Sequence, residues 1–266
     1  MIGAAVGQVV QRLPRGRNRI ATVLQRRLPR VVAGRDATGL RRTFDLADLL
    51  QAQWFCGVPV GLSVEALSLL RLGDWVVDIG ANVGIVTGQM CRAVGPSGHV
   101  TAVEPVPANV ARLQALKQQN GLTQLDIQVL AAGARAETGT LKLPPEGNSG
   151  WASFSASWLD SGTLDVAVRP LDELIPELAG DTGRRVALMK IDVEGYEFEV
   201  LEGAGAVLAE HRPALVLELN DPLLRDRGRS SAELLDACAQ HGYQPARPLE
   251  EAELQGAVLD VVLKPR

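Results

Sequence analysis

The sequence has few of the features that mark disulfide-rich, zinc-binding or membrane-spanning proteins. Its three cysteines are far apart and form none of the CxxC or CxxH spacings that bind zinc. An odd number of separated cysteines favours a reducing, cytoplasmic compartment over a disulfide framework. There is no run of about eighteen apolar residues, so we expect a soluble protein without a membrane span.

Acidic residues are absent from the first 35 residues, which carry eight arginines. Because the whole chain has a formal charge of −4, those arginines leave −12 for the rest of the chain. Such an acidic body is not expected to bind nucleic acid along its own surface. The basic segment is interpreted as a solvated extension, the usual state of such charge runs. The alternative is an arm that contacts anionic lipid at the membrane surface or an acidic partner.

Length and composition favour one catalytic domain. At 266 residues and 28.4 kDa, with 46% hydrophobic residues, the chain can bury one substantial α/β core. We predict a basic N-terminal extension over residues 1–40 and a single domain over residues 41–266. Within that domain, residues 41–72 are predicted to form a lead-in strand and helix, and residues 131–185 an insert or lid.

The segment VVDIGANVG has the pattern of a buried strand followed by a glycine-rich turn that opens a helix. Asp78 ends the strand, Gly80 and Gly84 allow the backbone to approach a ligand, and Asn82 tolerates left-handed backbone geometry. Such a strand, turn and helix seat nucleotide-like cofactors on parallel sheets. We therefore predict a cofactor pocket at this turn, which also contains Ala81.

The spacing of the glycines favours one class of cofactor. Dinucleotide-binding turns have the pattern GxGxxG, whereas this turn has GxxxG with Asn82 in place of the second glycine. A carboxylate at the strand tip suits a cationic group better than a phosphate, which favours the amino-acid tail of S-adenosylmethionine. The next strand, HVTAVEP, ends in Glu104 and Pro105, at the spacing where an acid accepts the ribose hydroxyls. The alternative is that Asp78 and Glu104 only cap helices or end strands in solvent.

Hydrophobic periodicity predicts strands that alternate with helices around this turn, which is typical of a mostly parallel α/β sheet. A short lead-in strand is predicted in RRTFDLADL, and an amphipathic helix in SVEALSLLRLG is predicted to close on Gly73. The predicted strands of the sheet are 75–79, 100–104, 126–130, 186–192, 214–219 and 257–263. The predicted helices between them are 85–94, 107–120 and 231–241.

Residues 131–185 are a long insert between the third and fourth strands. Alternation in TGTLKL and LDVAVRP predicts strands of the edge type, and LDELIPEL predicts a short helix. The middle of the insert is rich in Gly, Ser and Pro and contains Trp151, Phe154 and Trp158. These aromatic residues either present their faces to a substrate, as in a lid, or pack onto the domain.

A second cluster of polar residues follows the fourth strand, in MKIDVEGYEFEVLEGA. Asp192 ends this strand and Glu194 comes two residues later, whereas Glu218 and Asn220 lie at the tip of the fifth strand. Because the carboxyl ends of parallel strands face the ligand crevice, Asp192 is predicted to bind near the reactive end of the cofactor. Glu197 is expected to cap and solvate the helix that follows.

Taken in order, the segments VVDIGANVG, VEP, RPLDEL, KIDVEGYEFEVLEGA and RPALVLELN resemble the FkbM-type S-adenosylmethionine-dependent methyltransferases. The resemblance covers residues 40–220. It implies a Rossmann-like class I methyltransferase fold, with a mostly parallel seven-stranded sheet flanked by helices. It also implies O-methylation of a hydroxyl on a sugar, glycolipid or other secondary metabolite. By the same resemblance, Asp78, Gly80, Asn82 and Gly84 line the methionine end of the cofactor, and Glu104 holds its ribose.

Methyl transfer to a hydroxyl needs a group that takes the hydroxyl proton. Asp192, Glu194 and Glu218 are the candidates for this general base. Alternatively, Asp192, Glu218 and Asn220 could bind Mg²⁺, which would acidify the hydroxyl. The sequence does not separate these two mechanisms.

Other functions fit the sequence less well. N-methyltransferases on this fold commonly carry an Asn/Asp-Pro-Pro-aromatic tetrapeptide after the fourth strand, where this chain has DVEG. A non-catalytic scaffold that binds the cofactor and recruits partners through the arginine arm would show no turnover. NAD or nucleotide-sugar chemistry is disfavoured by the glycine spacing. The expected partner is therefore a small-molecule or glycan acceptor.

Overall fold

The computed structural model describes residues 30–144, 152–154, 161–180, 183–256 and 258–266, together with Val23. Most of the predicted basic extension lies outside the described residues, as do Trp151 and Trp158 of the insert. Within the described residues, no helix is both long enough and apolar enough to cross a membrane.

Residues 31–68, called the lead-in from here on, consist of a hairpin and two short helices. Strands β1 (Val31–Arg35) and β2 (Arg41–Asp45) pair in antiparallel fashion, and helices α1 (Leu49–Phe55) and α2 (Val64–Ser68) follow. The hairpin crosses the predicted boundary between the extension, residues 1–40, and the domain, residues 41–266. That boundary stays a prediction. The predicted lead-in strand is present as β2. The predicted helix is shorter than expected, because it ends at Ser68 instead of Gly73.

The first half of the central sheet follows the predicted alternation of strands and helices. Its strands differ from the prediction by two residues at most, and both helices have the predicted bounds. The elements are β3 (Trp75–Ile79), α3 (Ile85–Val94), β4 (His99–Val103), α4 (Pro107–Asn120) and β5 (Leu125–Gln128).

The insert contains a small sheet of its own. The predicted strands and helix are present, and a two-residue strand precedes them. These elements are β6 (Ala131–Ala132), β7 (Glu137–Lys142), β8 (Thr163–Arg169) and α5 (Leu171–Ala179). The strand order is β6-β8-β7, with β7 and β8 antiparallel. The insert strands therefore do not extend the edge of the central sheet.

The second half of the central sheet contains more helices than we predicted. Its elements are β9 (Val186–Ile191), α6 (Glu197–Glu202), α7 (Gly205–His211), β10 (Ala214–Asn220), α8 (Asp221–Asp226), α9 (Ser231–Gln240), β11 (Tyr243–Pro245), α10 (Glu251–Leu254) and β12 (Val258–Pro265).

The central sheet has seven strands in the order β11-β12-β10-β9-β3-β4-β5. Only β12 runs antiparallel to its two neighbours, β10 and β11, while the other adjacent pairs are parallel. The predicted mostly parallel seven-stranded sheet is therefore confirmed. The chain moves outward from β3 to β5 and then returns to the other side of β3 with β9. This reversal opens a crevice beyond the carboxyl ends of β3 and β9, where open α/β sheets bind ligands.

Alternate residues of the central strands bury apolar side chains on the two faces of the sheet. Val77 and Met189 pack into the core on one face, and Val76 and Leu188 pack into the core on the other. A third core, around Phe44, joins the lead-in to the start of α3. Both faces of the central strands are therefore buried, and the strand tips are left to face the crevice.

All three cysteines are buried and unpaired. Burial raises the pKa of Cys56 to about 11 and the pKa values of Cys91 and Cys238 to about 12. These thiols are therefore protonated and belong to the packing of three different helices or helix ends.

Candidate functional site

A cavity of about 270 Å³ lies at the crevice between the tips of β3, β4 and β9. Five of the residues predicted to bind a cofactor line it: Gly80, Asn82, Glu104, Pro105 and Asp192. Glu194 and Glu218, two of the predicted catalytic acids, also line it. The structure therefore brings the two polar clusters of the sequence together in one cavity.

A second cavity, of about 160 Å³, adjoins the first behind the turn that follows β3. Asp78 and Ala81 line this smaller cavity, and Asp192 and Glu218 border both. Gly84 and Asn220 are not among the described residues that line either cavity. Leu50 of the lead-in helix α1 also borders both cavities, so the lead-in supplies part of the wall.

The turn after β3 depends on left-handed backbone at three positions. Gly80, Asn82 and Gly84 have φ values of 79°, 50° and 82°. A Cβ atom at Gly80 would lie 1.8 Å from the backbone oxygen of Asp192, so only glycine fits between the tips of β3 and β9. The predicted roles of the glycines and of Asn82 in shaping this turn agree with its geometry.

Glu104 is buried at the tip of β4 and holds the turn in place. Its Oε2 accepts a hydrogen bond from the backbone N–H of Asn82 at 2.8 Å, and its Oε1 accepts one from the backbone N–H of Val106 at 2.8 Å. The side chain of Asn109 also donates to Oε1, at 3.3 Å. Burial raises the pKa of Glu104, and these hydrogen bonds oppose that rise.

Asp78 lies beneath the turn and has no solvent-exposed surface. Its Oδ2 accepts a hydrogen bond from the hydroxyl of Thr87 at 2.6 Å, while its Oδ1 has no partner among the described residues. Burial raises the pKa of Asp78, and the nearby charge of Lys190 opposes that rise. Thr87 follows the motif on the first turn of α3, and no sequence pattern pointed to a role for it.

Lys190 places a buried positive charge between the two cavities. It is 4% exposed, lines the smaller cavity and forms an ion pair with Asp192. Burial alone would lower the pKa of Lys190, but the carboxylates of Asp192, Asp78 and Asp260 raise it above the ordinary lysine value. Lys190 is therefore charged, and it partly neutralises the acids that surround it.

Asp192, Glu194 and Glu218 form a carboxylate cluster, whose oxygens lie within 4.8 Å of one another. Burial raises the pKa values of Glu194 and Glu218, and the negative charge of Asp192 raises both further. Glu218 keeps one buried oxygen, Oε2, without a partner among the described residues. Such a cluster can accept a proton from a ligand or hold a cation.

Asn220, the third predicted metal ligand, uses both ends of its side chain in hydrogen bonds. Its Oδ1 accepts a hydrogen bond from the backbone N–H of Leu223 and so caps α8, while its Nδ2 donates to Oε2 of Glu194 at 3.4 Å. The structure thus places Glu194 beside Asp192 and Glu218, with Asn220 as a hydrogen-bond donor behind it.

The turn that carries Glu194 is held by a buried acid. Glu194 and Gly195 have φ values of 52° and 92°, and Oε1 of Glu197 accepts hydrogen bonds from the backbone N–H groups of Val193 and Gly195. Glu197 is 0% exposed, so the expectation that it would be solvated is wrong. Burial raises the pKa of Glu197 to about 7. Its capping role is present, but it serves the preceding turn.

The insert contacts this same turn through residues 152–154. The Ser153 hydroxyl donates to the backbone oxygen of Glu194 at 2.6 Å, and the ring of Phe154 lies 4.5 Å from that of Tyr196 between centroids. Both rings line the larger cavity. Of the three aromatic residues singled out in the insert, Phe154 is therefore at the cavity, and the other two are outside the described residues.

A model of one protein family, described as the methyltransferase FkbM domain, matches residues 78–245. Two curated fungal proteins are also similar. Methyltransferase sdnD of Sordaria araneosa is 26% identical over 195 residues, covering 60% of this chain and 74% of that protein. Methyltransferase 1 of Beauveria bassiana (strain ARSEF 2860) is 27% identical over 145 residues, covering 49% of this chain and 58% of that protein.

Among solved structures, methyltransferase FkbM from Methylobacillus flagellatus KT is similar at 20% identity, with a TM-score of 0.47. The similarity covers 93% of this chain but 58% of that one, so the chain spans little more than half of its length. The segment matched by the family model contains Asp78, Glu104, Asp192, Glu194 and Glu218. It therefore includes both polar clusters that meet at the cavity.

Proposed function

Because the chain belongs to the FkbM family of methyltransferases, we propose that it transfers a methyl group from S-adenosylmethionine to a hydroxyl of a sugar, glycolipid or other secondary metabolite. Family membership confirms the predicted enzyme class, an S-adenosylmethionine-dependent methyltransferase, and the predicted class I fold. That the methyl acceptor is a hydroxyl is our proposal and goes beyond family membership. It is supported most directly by the carboxylate cluster within 4.8 Å at the end of the cavity.

The turn after β3 fits the cofactor, because it leaves buried polar atoms for a ligand to satisfy. Oδ1 of Asp78 and Oδ1 of Asn82 have no hydrogen-bond partner among the described residues. In our proposal, Gly80, Ala81, Asn82 and Gly84 shape the cofactor site. Bound S-adenosylmethionine supplies a methyl group on a sulfonium, ready for displacement by a nucleophile.

Two acids act at opposite ends of this proposed site. Glu104, with Pro105 beside it in the larger cavity, holds the ribose, because a carboxylate can accept about four hydrogen bonds and Glu104 already accepts three. Asp78 lines the smaller cavity and is bonded to Thr87 through Oδ2, so its Oδ1, which has no partner among the described residues, accepts a hydrogen bond from the amino-acid tail.

Among the three acids of the cluster, Glu194 is the best placed to take the hydroxyl proton. Asp192 is already engaged by Lys190, whereas Glu194 faces the larger cavity and is oriented by Asn220. Its raised pKa brings its proton affinity closer to neutral pH, which suits a general base. Glu218 is less suited to take the proton, because burial and the charges of Asp192 and Glu194 raise its pKa to about 10, so that it is already protonated near neutral pH.

A cation is the alternative means of activating the hydroxyl. Three carboxylates with a spare buried oxygen on Glu218 are hard oxygen donors of the kind that Mg²⁺ prefers, so the residues fit such an ion. Asp192, Glu194 and Glu218 would hold it, and its charge would lower the pKa of the acceptor hydroxyl. Asn220 would contribute through Glu194, because its own oxygen caps α8.

We further propose that Phe154 and Tyr196 contact the acceptor. Their rings line the larger cavity near the carboxylate cluster, and the apolar side chains of Leu130 and Leu141 lie on the same wall. Aromatic faces stack well on the apolar face of a sugar ring or on a lipid chain. The absence of nucleic-acid binding and a contact between the basic arm and a membrane or acidic partner stay predictions.

Turnover on a panel of acceptors tests the hydroxyl proposal. The protein is incubated with S-adenosylmethionine and with methyl glycosides, glycolipids, hydroxylated polyketides or amines, and S-adenosylhomocysteine is measured. We expect product only with hydroxyl acceptors, as methyl ethers visible by mass spectrometry. Methylation of an amine would contradict the proposal, and cofactor binding without turnover on any acceptor would favour the scaffold alternative.

Calorimetric titration with S-adenosylhomocysteine tests the cofactor site separately. The unsubstituted protein is expected to bind, and Asp78→Asn and Glu104→Ala are expected to weaken binding at least about tenfold, the loss associated with one charged hydrogen bond. Glu137→Gln is the matched control, because Glu137 is exposed on β7. Unchanged binding in both site variants would reject the assignment of this turn to the cofactor.

A further inference from the structure

Arg42 of the lead-in hairpin is a buried cation. It is 5% exposed, and its Nε donates to Oδ2 of Asp36 at 2.5 Å. Its guanidinium also lies over the ring of Trp54, 4.2 Å from the centroid. Burial lowers the pKa of Arg42, and the buried carboxylate of Asp36 opposes that effect. The hairpin and α1 thus hold one charged side chain from two sides.

The free end of this side chain reaches the proposed cofactor turn. Nη2 of Arg42 donates to the backbone oxygen of Gly84 at 2.8 Å, and Nη1 donates to that of Val83 at 3.5 Å. Both carbonyls belong to the turn that runs from Asn82 into α3. A single arginine therefore joins the lead-in to the backbone of this turn, across sequence separations of 41 and 42 residues.

The sequence of α3 leaves room for the guanidinium. Gly84 and Gly88 are four residues apart, so they lie on the same side of the helix start. A Cβ atom at Gly88 would lie 2.0 Å from Nη2 of Arg42, and one at Gly84 would lie 3.6 Å from Nη1. The segment GIVTG thus forms a groove for Arg42.

These contacts suggest more than a contribution to folding. Buried ion pairs add little net stability compared with apolar residues of the same size, because desolvation costs offset their attraction. What distinguishes Arg42 is the target of its remaining donors, the carbonyls of Val83 and Gly84. The same lead-in also brings Leu50 to the wall of both cavities.

We propose that Arg42 is a positioning residue for the cofactor site, holding the turn after β3 in its binding geometry and coupling the lead-in to cofactor binding. The inference rests on the proposed placement of the cofactor at this turn. Coupling of two parts by a binding equilibrium is reciprocal. If Arg42 favours cofactor binding by ordering the turn, then cofactor binding must in return stabilise the hairpin and α1.

Three substitutions separate positioning from folding. Arg42→Met keeps the bulk of the side chain but removes its donors, and Arg42→Lys keeps the charge without the planar fork that reaches Asp36 and two carbonyls together. Gly88→Ala leaves Arg42 in the chain but displaces its flexible end from Gly84, while alanine favours the helix more than glycine does. Arg41→Met is the control, because Arg41 is the exposed neighbour on β2 and contacts Asn120 through its backbone.

The experiment measures the affinity for S-adenosylhomocysteine by calorimetry, the thermal midpoint, and amide hydrogen exchange of residues 31–56 with and without that ligand. We expect Kd to rise about tenfold in Arg42→Met, the loss associated with one charged hydrogen bond, and by less in Arg42→Lys. In Gly88→Ala we expect weaker binding with an unchanged or raised thermal midpoint. The ligand should slow exchange in the hairpin of the unsubstituted protein and of Arg41→Met, but not of Arg42→Met.

The outcomes distinguish this inference from the proposed function. Normal affinity in Gly88→Ala and Arg42→Lys, with no ligand effect on exchange in residues 31–56, would overturn the positioning role while leaving the cofactor site intact. If Arg42→Met does not fold, the other two variants decide the question. Failure of the unsubstituted protein to bind S-adenosylhomocysteine would overturn both proposals.

Discussion

The carboxylate of Glu104 accepts a hydrogen bond from the backbone N–H of Asn82 at 2.8 Å, which fastens the tip of β4 to the turn that follows β3. The same carboxylate accepts a second backbone N–H, from Val106. One side chain therefore fixes two neighbouring backbone segments, and each of its oxygens receives one of the two backbone donors.

Replacing Glu104 by glutamine tests this arrangement. Glutamine has one acceptor oxygen, so either Asn82 or Val106 would lose its partner and face an NH₂ group. We expect a loss of about 1–3 kcal/mol in the free energy of unfolding and weaker binding of S-adenosylhomocysteine. Urea denaturation and calorimetry measure the two effects. The exposed control Glu137→Gln should change neither, and an unaltered Glu104→Gln protein would show that these hydrogen bonds do not hold the turn.

Gly80→Ala is expected to be far more damaging than Gly121→Ala. Both glycines have positive φ, so both substitutions carry backbone strain of about 1 kcal/mol. Only at Gly80 would the new Cβ meet backbone, the Asp192 oxygen, at 1.8 Å, whereas nothing lies within 4 Å at Gly121. Urea denaturation should show an additional loss for Gly80→Ala of roughly 3 kcal/mol or more. Equal losses would mean that β3 and β9 separate easily.

Glu197→Gln should stabilise the protein at alkaline pH. Burial raises the pKa of Glu197 from the ordinary 4.5 to about 7, so the folded state binds this proton more tightly than the unfolded state does. The stability that this group contributes below pH 4.5 is therefore lost as the pH rises to 7. The negative charge of Asp192 also raises the pKa of Glu197, while the backbone hydrogen bonds from Gly195 and Val193 oppose that rise.

Glutamine can retain both backbone hydrogen bonds, because both go to Oε1 of Glu197. Above pH 7 we expect a gain of up to about 3 kcal/mol, and a much smaller gain at pH 5. Thermal denaturation across this pH range measures the difference. Glu202→Gln, at an exposed position of the same helix, should show no such pH dependence. A constant difference between pH 5 and 8 would contradict the prediction.

Glu194→Gln should separate catalysis from cofactor binding. If Glu194 takes the hydroxyl proton, its loss should lower kcat about 10² to 10⁴-fold. Because its role is in the proton transfer, the affinity for S-adenosylhomocysteine should stay within about threefold of the original. The unsubstituted enzyme should gain rate as the pH rises above the ordinary range of a glutamate, since the pKa of Glu194 is raised. A variant with full kcat would remove Glu194 from the mechanism.

Removal of metal ions by a chelator distinguishes general-base catalysis from activation of the hydroxyl by a cation. With Glu194 as the general base, EDTA should leave kcat unchanged. Loss of rate on chelation, restored by Mg²⁺, would instead assign Asp192, Glu194 and Glu218 to a cation. The thermal midpoint measured with and without Mg²⁺ checks the same point independently of the acceptor.

The order of the main elements could be predicted from the sequence, because strands and amphipathic helices each have a characteristic spacing of hydrophobic residues. Trp75–Ile79 and Pro107–Asn120 have the predicted bounds. Two short strands were not predicted, since each depends on a partner strand. The strand Tyr243–Pro245 has three residues and forms only by pairing with β12, and Val31–Arg35 requires β2.

The sequence predicted those site residues that lie at the tips of parallel strands, because such tips meet at one edge of the sheet. The sequence placed Asp78, Glu104 and Asp192 at tips of strands, and the structure puts all three around the joined cavities. Contacts between residues that are distant in sequence could not be predicted from local sequence patterns. The ion pair of Lys190 with Asp192 joins residues two apart, whose side chains an extended strand places on the same face. The reach of Arg42 to Gly84 has no such signal in spacing, because it depends on the packing of separate segments.

The three buried cysteines can serve as native probes of local opening in three parts of the protein. Their thiols are protonated and shielded, so alkylating reagents can modify each one only after the segment around it opens. Cys56 lies at the end of α1, Cys91 in α3, which follows the turn after β3, and Cys238 in α9. The labelling rates of these three positions therefore report separately on the lead-in, the helix after β3 and the C-terminal part of the sheet, without any engineered label.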